Sequence, residues 1–281
     1  MLGAAALWAS FGLFAKVLYA RGYSPLELAS VRAVVGMAGA ALWIARRPAS
    51  LRLDRRGVLF YAIYGVLGFA VFETLYLAAL ERTSVAIAVA LLYTAPAFVV
   101  LASRVLWHEH IPAWKAAALA MVLTGVLLVT GALDALRTGQ AHLTAGALLL
   151  GLGAGAGYAG YTLFSKYATQ HYRDDTSLFW SFAFATLGLA FIAPPLPVLL
   201  REPHDLPVLL ALGVVPTLLP YALYLRGLRR LRASTAAMLA SLEPVIAALL
   251  AVALLGEALD PLRVVGIGLI VGAAALIARE T

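Results

Sequence analysis

The sequence predicts an all-α integral membrane protein with ten transmembrane helices arranged as two inverted five-helix repeats. Three observations support this fold class: an apolar composition, ten apolar runs of spanning length, and an internal repeat. The 281 residues are 63% hydrophobic and only 12% charged, and the mean hydropathy is +0.92. Soluble domains carry about 25% charged residues. A soluble domain and a disordered chain are therefore both excluded.

Ten apolar runs are long enough to cross a bilayer, which takes about 20 residues in a helix. They fall at 2–20, 25–45, 57–80, 84–104, 112–132, 143–165, 176–196, 207–225, 234–255 and 261–279. Several runs are too long for strands and lack strict alternation, which favours helices over a barrel. The longest predicted loops, 46–56 and 166–175, hold only about a dozen residues, so no soluble domain is expected.

The basic residues predict the orientation. The chain has 21 Lys and Arg against 14 Asp and Glu, and ten spans place both termini on one side. If that side is the cytoplasm, 14 of the 21 basic residues lie inside, five lie outside and two lie within spans. The positive-inside rule therefore predicts cytoplasmic termini. The basic charge is an orientation signal, and we expect the lipid bilayer, not a nucleic acid, as the partner.

The sequence gives no sign of a metal site, a cofactor or catalytic residues. The chain has no Cys, and His108-Glu109-His110 has the wrong spacing for zinc ligands on a helix. Met1-Leu2-Gly3-Ala4 lacks a basic n-region, so no cleaved secretory signal is expected. An enzyme is therefore not predicted, although a membrane enzyme and a partner-binding subunit stay open as alternatives.

The two halves of the chain match each other. Leu13-Phe14-Ala15-Lys16 returns 150 residues later as Leu163-Phe164-Ser165-Lys166. At an offset of 148, Pro96 matches Pro244 and Glu109 matches Glu257. We predict two repeats, 1–139 and 140–281. Because five helices is an odd number, the second repeat enters from the opposite face. This layout is typical of secondary transporters with a site near the bilayer midplane; a duplication without a transport role is the alternative.

Glu73 and Glu243 are the acids that fall well inside predicted spans. A carboxylate in lipid is expensive, so it normally faces the bundle interior or a water-filled cavity. We predict that each binds a substrate ammonium group or a proton. The alternative is a neutral Glu that is hydrogen-bonded to a neighbouring helix.

Aromatic residues and prolines complete the candidate site. Most of the aromatic residues lie away from the headgroup zones where Trp and Tyr usually belong, which predicts a ring-lined substrate cavity. The predicted substrate-binding residues are Trp8, Glu73, Tyr76, Tyr93, Tyr158, Tyr161, Tyr221, Tyr224 and Glu243. The predicted hinges or static kinks are Pro96, Pro216, Pro220 and Pro244. For the cations, we expect Lys16 and Lys166 to snorkel and Arg32 to pair with Glu27 or reach the outer interface.

The chain resembles the drug/metabolite transporter superfamily, specifically its ten-helix EamA-type exporters. The resemblance covers nearly the whole chain. It rests on the run Pro244-Val245-Ile246-Ala247-Ala248-Leu249-Leu250, on Gly256-Glu257, on Pro96 and Glu109 in the first half, and on Arg32. Within this group it looks most like the bacterial inner-membrane aromatic amino acid exporters. The resemblance implies a basket-like bundle, a central cavity and efflux of amino acids or similar metabolites.

One departure puts symmetric carboxylates in doubt, because the first half has Thr94-Ala95-Pro96 where the second has Leu242-Glu243-Pro244. With the substrate class that the resemblance implies, we expect a transporter that exports amino acids, aromatic and other neutral ones, by alternating access through a central cavity in a bacterial inner membrane. A monomer can enclose that pathway. The alternative is an exporter of cationic or lipophilic drugs, which deep acids and aromatic rings would serve equally well.

Overall fold

Helices in this chain begin where a short polar side chain can accept the first free backbone N–H groups. Ser24 Oγ accepts from the Glu27 N–H at 3.3 Å, and Glu27 Oε2 accepts from the Ser24 N–H at 2.7 Å. Pro25 follows as the first helical residue. This is a reciprocal capping box, and it fixes one helix start at a membrane surface. The side chains of Asp54, Ser84, Thr144 and Asp260 cap four further helices.

The computed structural model describes residues 1–45, 51–139, 143–256 and 258–279. In this part of the chain there are ten substantial helices. They are α1 (Leu2–Ala20), α2 (Pro25–Ile44), α3 (Arg55–Leu80), α4 (Val85–Leu106), α5 (Ala113–Val129), α6 (Ala145–His171), α7 (Asp174–Ala190), α8 (Pro203–Arg230), α9 (Ala233–Leu254) and α10 (Pro261–Ile277). Seven of these helices are long and apolar enough to cross a membrane. The other three, α5, α7 and α10, have 17 residues each.

Most helix bounds follow the predicted runs to within a few residues, but three ends do not. α6 and α8 continue past the predicted 165 and 225 to His171 and Arg230, and α7 ends at Ala190, before the predicted 196. The predicted loop at 166–175 is wrong for its first part, because α6 continues to His171. Lys166 is therefore helical, and its Nζ donates to the backbone oxygens of Leu228 at 2.7 Å and Leu231 at 2.8 Å. Carbonyls at a helix end have no partner within the helix, so they are available to bind this ammonium group. Lys16 is exposed. Residues 46–50 of the other predicted loop, residues 140–142 and Glu257 lie outside the described residues.

Several helices are interrupted, and the interruptions repeat between the halves. A π-helical turn occupies Val66–Val71 in α3, and another occupies Val214–Leu218 in α8. α4 breaks at Tyr93 and Thr94, and α9 breaks 148 residues later at Ser241 and Leu242. The repeat offset found in the sequence therefore recurs in the backbone. α1 also breaks, at Ser10, whereas α6 is continuous, so the halves are not identical.

Hydroxyl side chains add hydrogen bonds to carbonyls at these interruptions. Ser10 Oγ donates to the Leu7 carbonyl at 2.6 Å, and Thr94 Oγ1 donates to the Leu91 carbonyl at 2.6 Å. In the π-helical turn of α8, Thr217 Oγ1 donates to the Leu212 carbonyl at 2.9 Å. Broken helices are tolerated at membrane depth when neighbouring side chains re-satisfy the backbone in this way.

Glycines allow α5 and α10 to approach closely. A Cβ added at Gly266 would lie 2.7 Å from the Gly125 carbonyl oxygen and 2.8 Å from the Leu128 Cβ. Contact this short leaves no space for a methyl group, so the two helices pack backbone to backbone, as small residues permit in membranes. Gly268, on the same helix, has nothing within 4 Å of an added Cβ.

We expect Gly266→Ala to destabilise the protein by about 1–3 kcal/mol, because the new methyl group overpacks the α5–α10 contact. The matched control is Gly268→Ala, which introduces the same methyl group on the same helix into open space and should be neutral or slightly stabilising. The measurement is the thermal unfolding midpoint of each purified variant in one detergent. Equal midpoints for the two variants would contradict the close helix contact.

Candidate functional site

Five of the predicted aromatic residues form one continuous group of rings deep in the bundle. The centroid of the Tyr161 ring lies 5.2 Å from that of Tyr221 and 5.7 Å from that of Tyr224. Trp8 lies 5.4 Å and 5.2 Å from the same two rings, and Tyr158 lies 6.2 Å from Tyr161. We call these five residues the ring cluster. They come from α1, α6 and α8, so both halves of the chain build it.

Phenylalanines extend the ring cluster, and sequence reasoning missed them. Phe69 lies 5.2 Å from both Tyr161 and Tyr221 between centroids, and Phe182 lies 5.2 Å from Tyr221. A Phe side chain has no polar atom, so nothing in the sequence separates these two from the other Phe residues of an apolar chain. Their edge-to-face and stacked arrangements are the favourable geometries for aromatic pairs.

A small cavity lies beside the ring cluster. Its lining includes Tyr93, Pro96, Tyr158, Tyr224 and Ser241. It has space for about one water molecule. Tyr224 directs its hydroxyl to Thr162 Oγ1 at 2.9 Å. The rings are in contact with one another, so a solute larger than water can enter only after some of them separate.

Glu243 joins the two halves beside this cavity. It is the first residue of the second helical part of α9, directly after the break. Its carboxylate lies near the Tyr93 hydroxyl, and the Tyr93 ring lies 6.4 Å from that of Tyr158. Tyr76 interacts electrostatically with both Glu73 and Glu243, although no ring contact connects it to the ring cluster within the described residues.

Arg32 lies at a second polar contact between the halves. Its Nη1 is 3.1 Å from Glu73 Oε1, and its Nε donates to Thr217 Oγ1 at 3.1 Å. The guanidinium carbon also lies 4.6 Å from the centroid of the Phe11 ring. The side chains of Arg32 and Glu73 are only 16% and 18% exposed. An ion pair in this position is typical of functional charge in a membrane span.

The expectation that Arg32 pairs with Glu27 or reaches the outer interface is wrong. The two residues are five positions apart, a spacing that does not bring side chains together on a helix. Glu27 instead completes the capping box and pairs with Arg201. A charged residue two turns inside an apolar helix was the signal for Arg32. The contact of Arg32 with Thr217 could not be predicted from the sequence, because the position of Thr217 depends on the π-helical turn.

The four predicted hinge prolines all lie at helix interruptions. Pro96 and Pro244 are each the second residue of the helix that follows a break. At that position a backbone N–H has no partner within the helix, so the N–H that proline lacks costs no hydrogen bond. Pro216 lies within the π-helical turn of α8, and Pro220 lies in the first turn of the α-helical segment after it. The interruptions are present in this structure, and hinge motion at them stays a prediction.

A multi-pass bundle with charged and aromatic side chains between two similar halves defines a membrane transporter. Residues 1–131 and 145–279 match the model of the EamA-like transporter family, once in each half. The chain belongs to the EamA-like transporter family, within the drug/metabolite transporter superfamily. It is therefore a transporter and not an enzyme.

Three similar proteins are also described as transporters. An uncharacterized transporter of Archaeoglobus fulgidus is 32% identical over 76% of this chain and 76% of its own. The threonine/homoserine exporter RhtA of Escherichia coli (strain K12) is 30% identical over 81% and 73%. The uncharacterized transporter YwfM of Bacillus subtilis is 27% identical over 96% and 89%.

The fold also matches a solved crystal structure. That chain is 22% identical, with a TM-score of 0.80 over 99% of this chain and 95% of its own. The curated relatives that carry a substrate name are threonine/homoserine exporters. The resemblance to aromatic amino acid exporters in particular is not supported beyond the family.

We expect Arg32→Gln and Glu73→Gln each to destabilise the protein, because each leaves one charge without its partner inside the bundle. The double variant should be less destabilised than the sum of the two, with an interaction energy of about 0.5–3 kcal/mol. The measurement is a double-mutant cycle, in which the free energies of unfolding of the wild type, the two single variants and the double variant are compared in one detergent. The pair Arg263 and Asp260, whose side chains are 34% and 42% exposed, is the control cycle, with an expected coupling of at most about 1 kcal/mol. Additive effects at Arg32 and Glu73 would refute the coupling.

Proposed function

We propose that this protein exports neutral amino acids by alternating access between two inverted five-helix repeats, residues 1–139 and 140–281. The observation that carries the proposal is the pair of polar contacts deep between the halves, Arg32 to Thr217 and Tyr93 to Glu243. Polar groups at this depth are expensive unless they serve a substrate or ion pathway. Membership of the family and similarity to RhtA, a threonine/homoserine exporter, support an amino acid as the substrate.

In this proposal the protein lies in a bacterial inner membrane with both termini in the cytoplasm, and one chain forms the pathway. The excess of Lys and Arg in the predicted inner segments supports this orientation. Arg21 with Asp205, and Glu27 with Arg201, then form ion pairs between the halves at the outer end. At the inner end, Ser234 Oγ donates to Glu109, and the Tyr61 and Ser177 hydroxyls are 2.8 Å apart.

These end contacts suggest how access alternates. Both ends are joined by polar contacts between the halves, and the cavity between them has space for about one water molecule. Transport therefore requires that one set of end contacts opens while the other stays closed. The breaks at Pro96 and Pro244 and the π-helical turn that contains Pro216 supply places where the helices can bend, with Pro220 directly after that turn.

Two groups of neutral amino acids are candidates as substrates. The ring cluster, together with Tyr76 and Tyr93, favours aromatic ones, because rings contact rings well. The relation to RhtA favours small hydroxyl-bearing ones such as threonine. Glu73 and Glu243 supply carboxylates for the substrate ammonium group or for a proton. Acids and rings would also bind lipophilic cations, so the experiment includes one.

The test is uptake of labelled amino acids into proteoliposomes that hold only this protein, with and without an imposed pH gradient. Threonine, phenylalanine and a lipophilic cation are compared. We expect saturable uptake of at least one amino acid. Stimulation by the gradient would add proton coupling. Flux of the lipophilic cation without any amino-acid flux would overturn the proposal and support drug export.

We expect Glu243→Gln to lower amino-acid uptake at least tenfold, because the neutral amide holds neither a proton nor an ammonium ion as the carboxylate does. Its unfolding midpoint should stay near that of the wild type, since Gln has almost the same size and shape as Glu and keeps a polar group beside Tyr93. The matched control is Glu81→Gln, at an exposed position at the end of α3, and it should transport normally. Unchanged uptake by Glu243→Gln would remove this residue from the mechanism.

A further inference from the structure

We propose that Arg32 and Glu73 together bind the two charged ends of a zwitterionic α-amino acid: its α-carboxylate on Arg32 and its α-ammonium on Glu73. This inference rests on the proposed function and deepens it, because it names the chemical class that the site selects. The substrates are then compounds with a free carboxylate and an amine on the same carbon.

The hydrogen bonding of Arg32 leaves donors available for such a ligand. A guanidinium has five N–H donors in a planar fork that suits a carboxylate held by two hydrogen bonds. Arg32 uses Nε for Thr217 and Nη1 for a single oxygen of Glu73. Within the described residues, Nη2 donates to no protein acceptor. The ion pair with Glu73 is thus made through one nitrogen and one oxygen.

The Glu73 carboxylate also has a hydrogen-bonding atom available for a ligand. Its Oε1 faces Arg32, and no described residue donates to its Oε2. Both side chains keep about a sixth of their surface exposed, so they are not sealed by protein atoms. An unused donor pair on the cation and an unused acceptor on the adjacent anion match the charges of an α-amino acid, whose carboxylate and ammonium are attached to one carbon.

The charge of the surroundings also favours a zwitterion. Arg32 and Glu73 form a pair that is neutral when both groups are ionised. A lone anion bound to Arg32 would leave the Glu73 carboxylate unpaired, and a lone cation bound to Glu73 would leave the Arg32 guanidinium unpaired. A zwitterion supplies one charge to each partner, which limits the desolvation cost.

Thr217 connects this recognition to the second half of the chain. Its hydroxyl accepts from Arg32 Nε and donates to the Leu212 carbonyl within the π-helical turn of α8. A carboxylate that draws the guanidinium away from Glu73 therefore also acts on a contact with α8. Substrate binding and the geometry of an interrupted helix share one side chain.

The experiment compares each amino acid that gives saturable uptake with its α-carboxamide, which keeps the ammonium group and loses the carboxylate. In wild-type proteoliposomes the amide should inhibit uptake at least tenfold more weakly than the acid. Arg32→Gln should lose most of this preference, and Arg32→Lys, which keeps the charge but not the planar fork, should lie between. The matched control Arg137→Gln, at an exposed position, should keep the full preference.

A binding measurement makes the test independent of transport. The unfolding midpoint of the purified protein in detergent should rise with added amino acid and not with its amide, and Arg32→Gln should abolish the rise. If Arg32→Gln does not fold, the Arg32→Lys variant decides by the same ratio.

The failures of the two proposals are distinguishable. Equal inhibition by acid and amide in the wild type would overturn the role of Arg32 and leave amino-acid export standing. An undiminished preference in Arg32→Gln would also overturn it. Flux of a lipophilic cation without any amino-acid flux would overturn the proposed function, and the zwitterion site with it.

Discussion

The absence of water in the bilayer core is the constraint on which this structure depends. In that environment an unsatisfied N–H or C=O group costs several kcal/mol, so the backbone is helical wherever it crosses. Each departure from a helix needs a substitute hydrogen bond. Ser10, Thr94 and Thr217 supply one with their hydroxyl groups. Irregular backbone is therefore confined to a few positions, and several of them lie at the ring cluster and the ion pair.

The same constraint governs the charges. Arg32 and Glu73 can lie within spanning helices because they share a hydrogen bond and their charges are opposite. Thr217 accepts a second hydrogen bond from Arg32. Their contact leaves hydrogen-bonding groups unused, which is costly unless a ligand or water fills them. By contrast, Arg21, which pairs with Asp205 beyond the end of α1, keeps 40% of its side chain exposed. In the proposed mechanism, the deep ion pair binds the substrate, and the ion pairs near the surface close one end of the pathway.

Small residues and aromatic residues pack different parts of the structure. At α5 and α10, Gly125 and Gly266 bring the two backbones into contact. Between the halves the space is filled by rings, and the Tyr161 ring contacts rings from both halves of the chain. Backbone contact gives a rigid pair of helices, whereas ring contacts can be exchanged for contacts with a substrate. This difference accounts for a cavity that is nearly closed at the centre of a transporter.

The membrane class, the ten helices, the internal repeat and the family could all be predicted from the sequence, because these depend on composition and on periodic patterns along the chain. The sequence also singled out Glu243 and the tyrosines, since polar groups inside apolar runs are conspicuous. Only the tertiary structure decided the partner of Arg32, the carbonyl contacts of Lys166 and the roles of Phe69 and Thr217. Those contacts join residues that are far apart in the chain, and they depend on where interrupted helices direct their side chains.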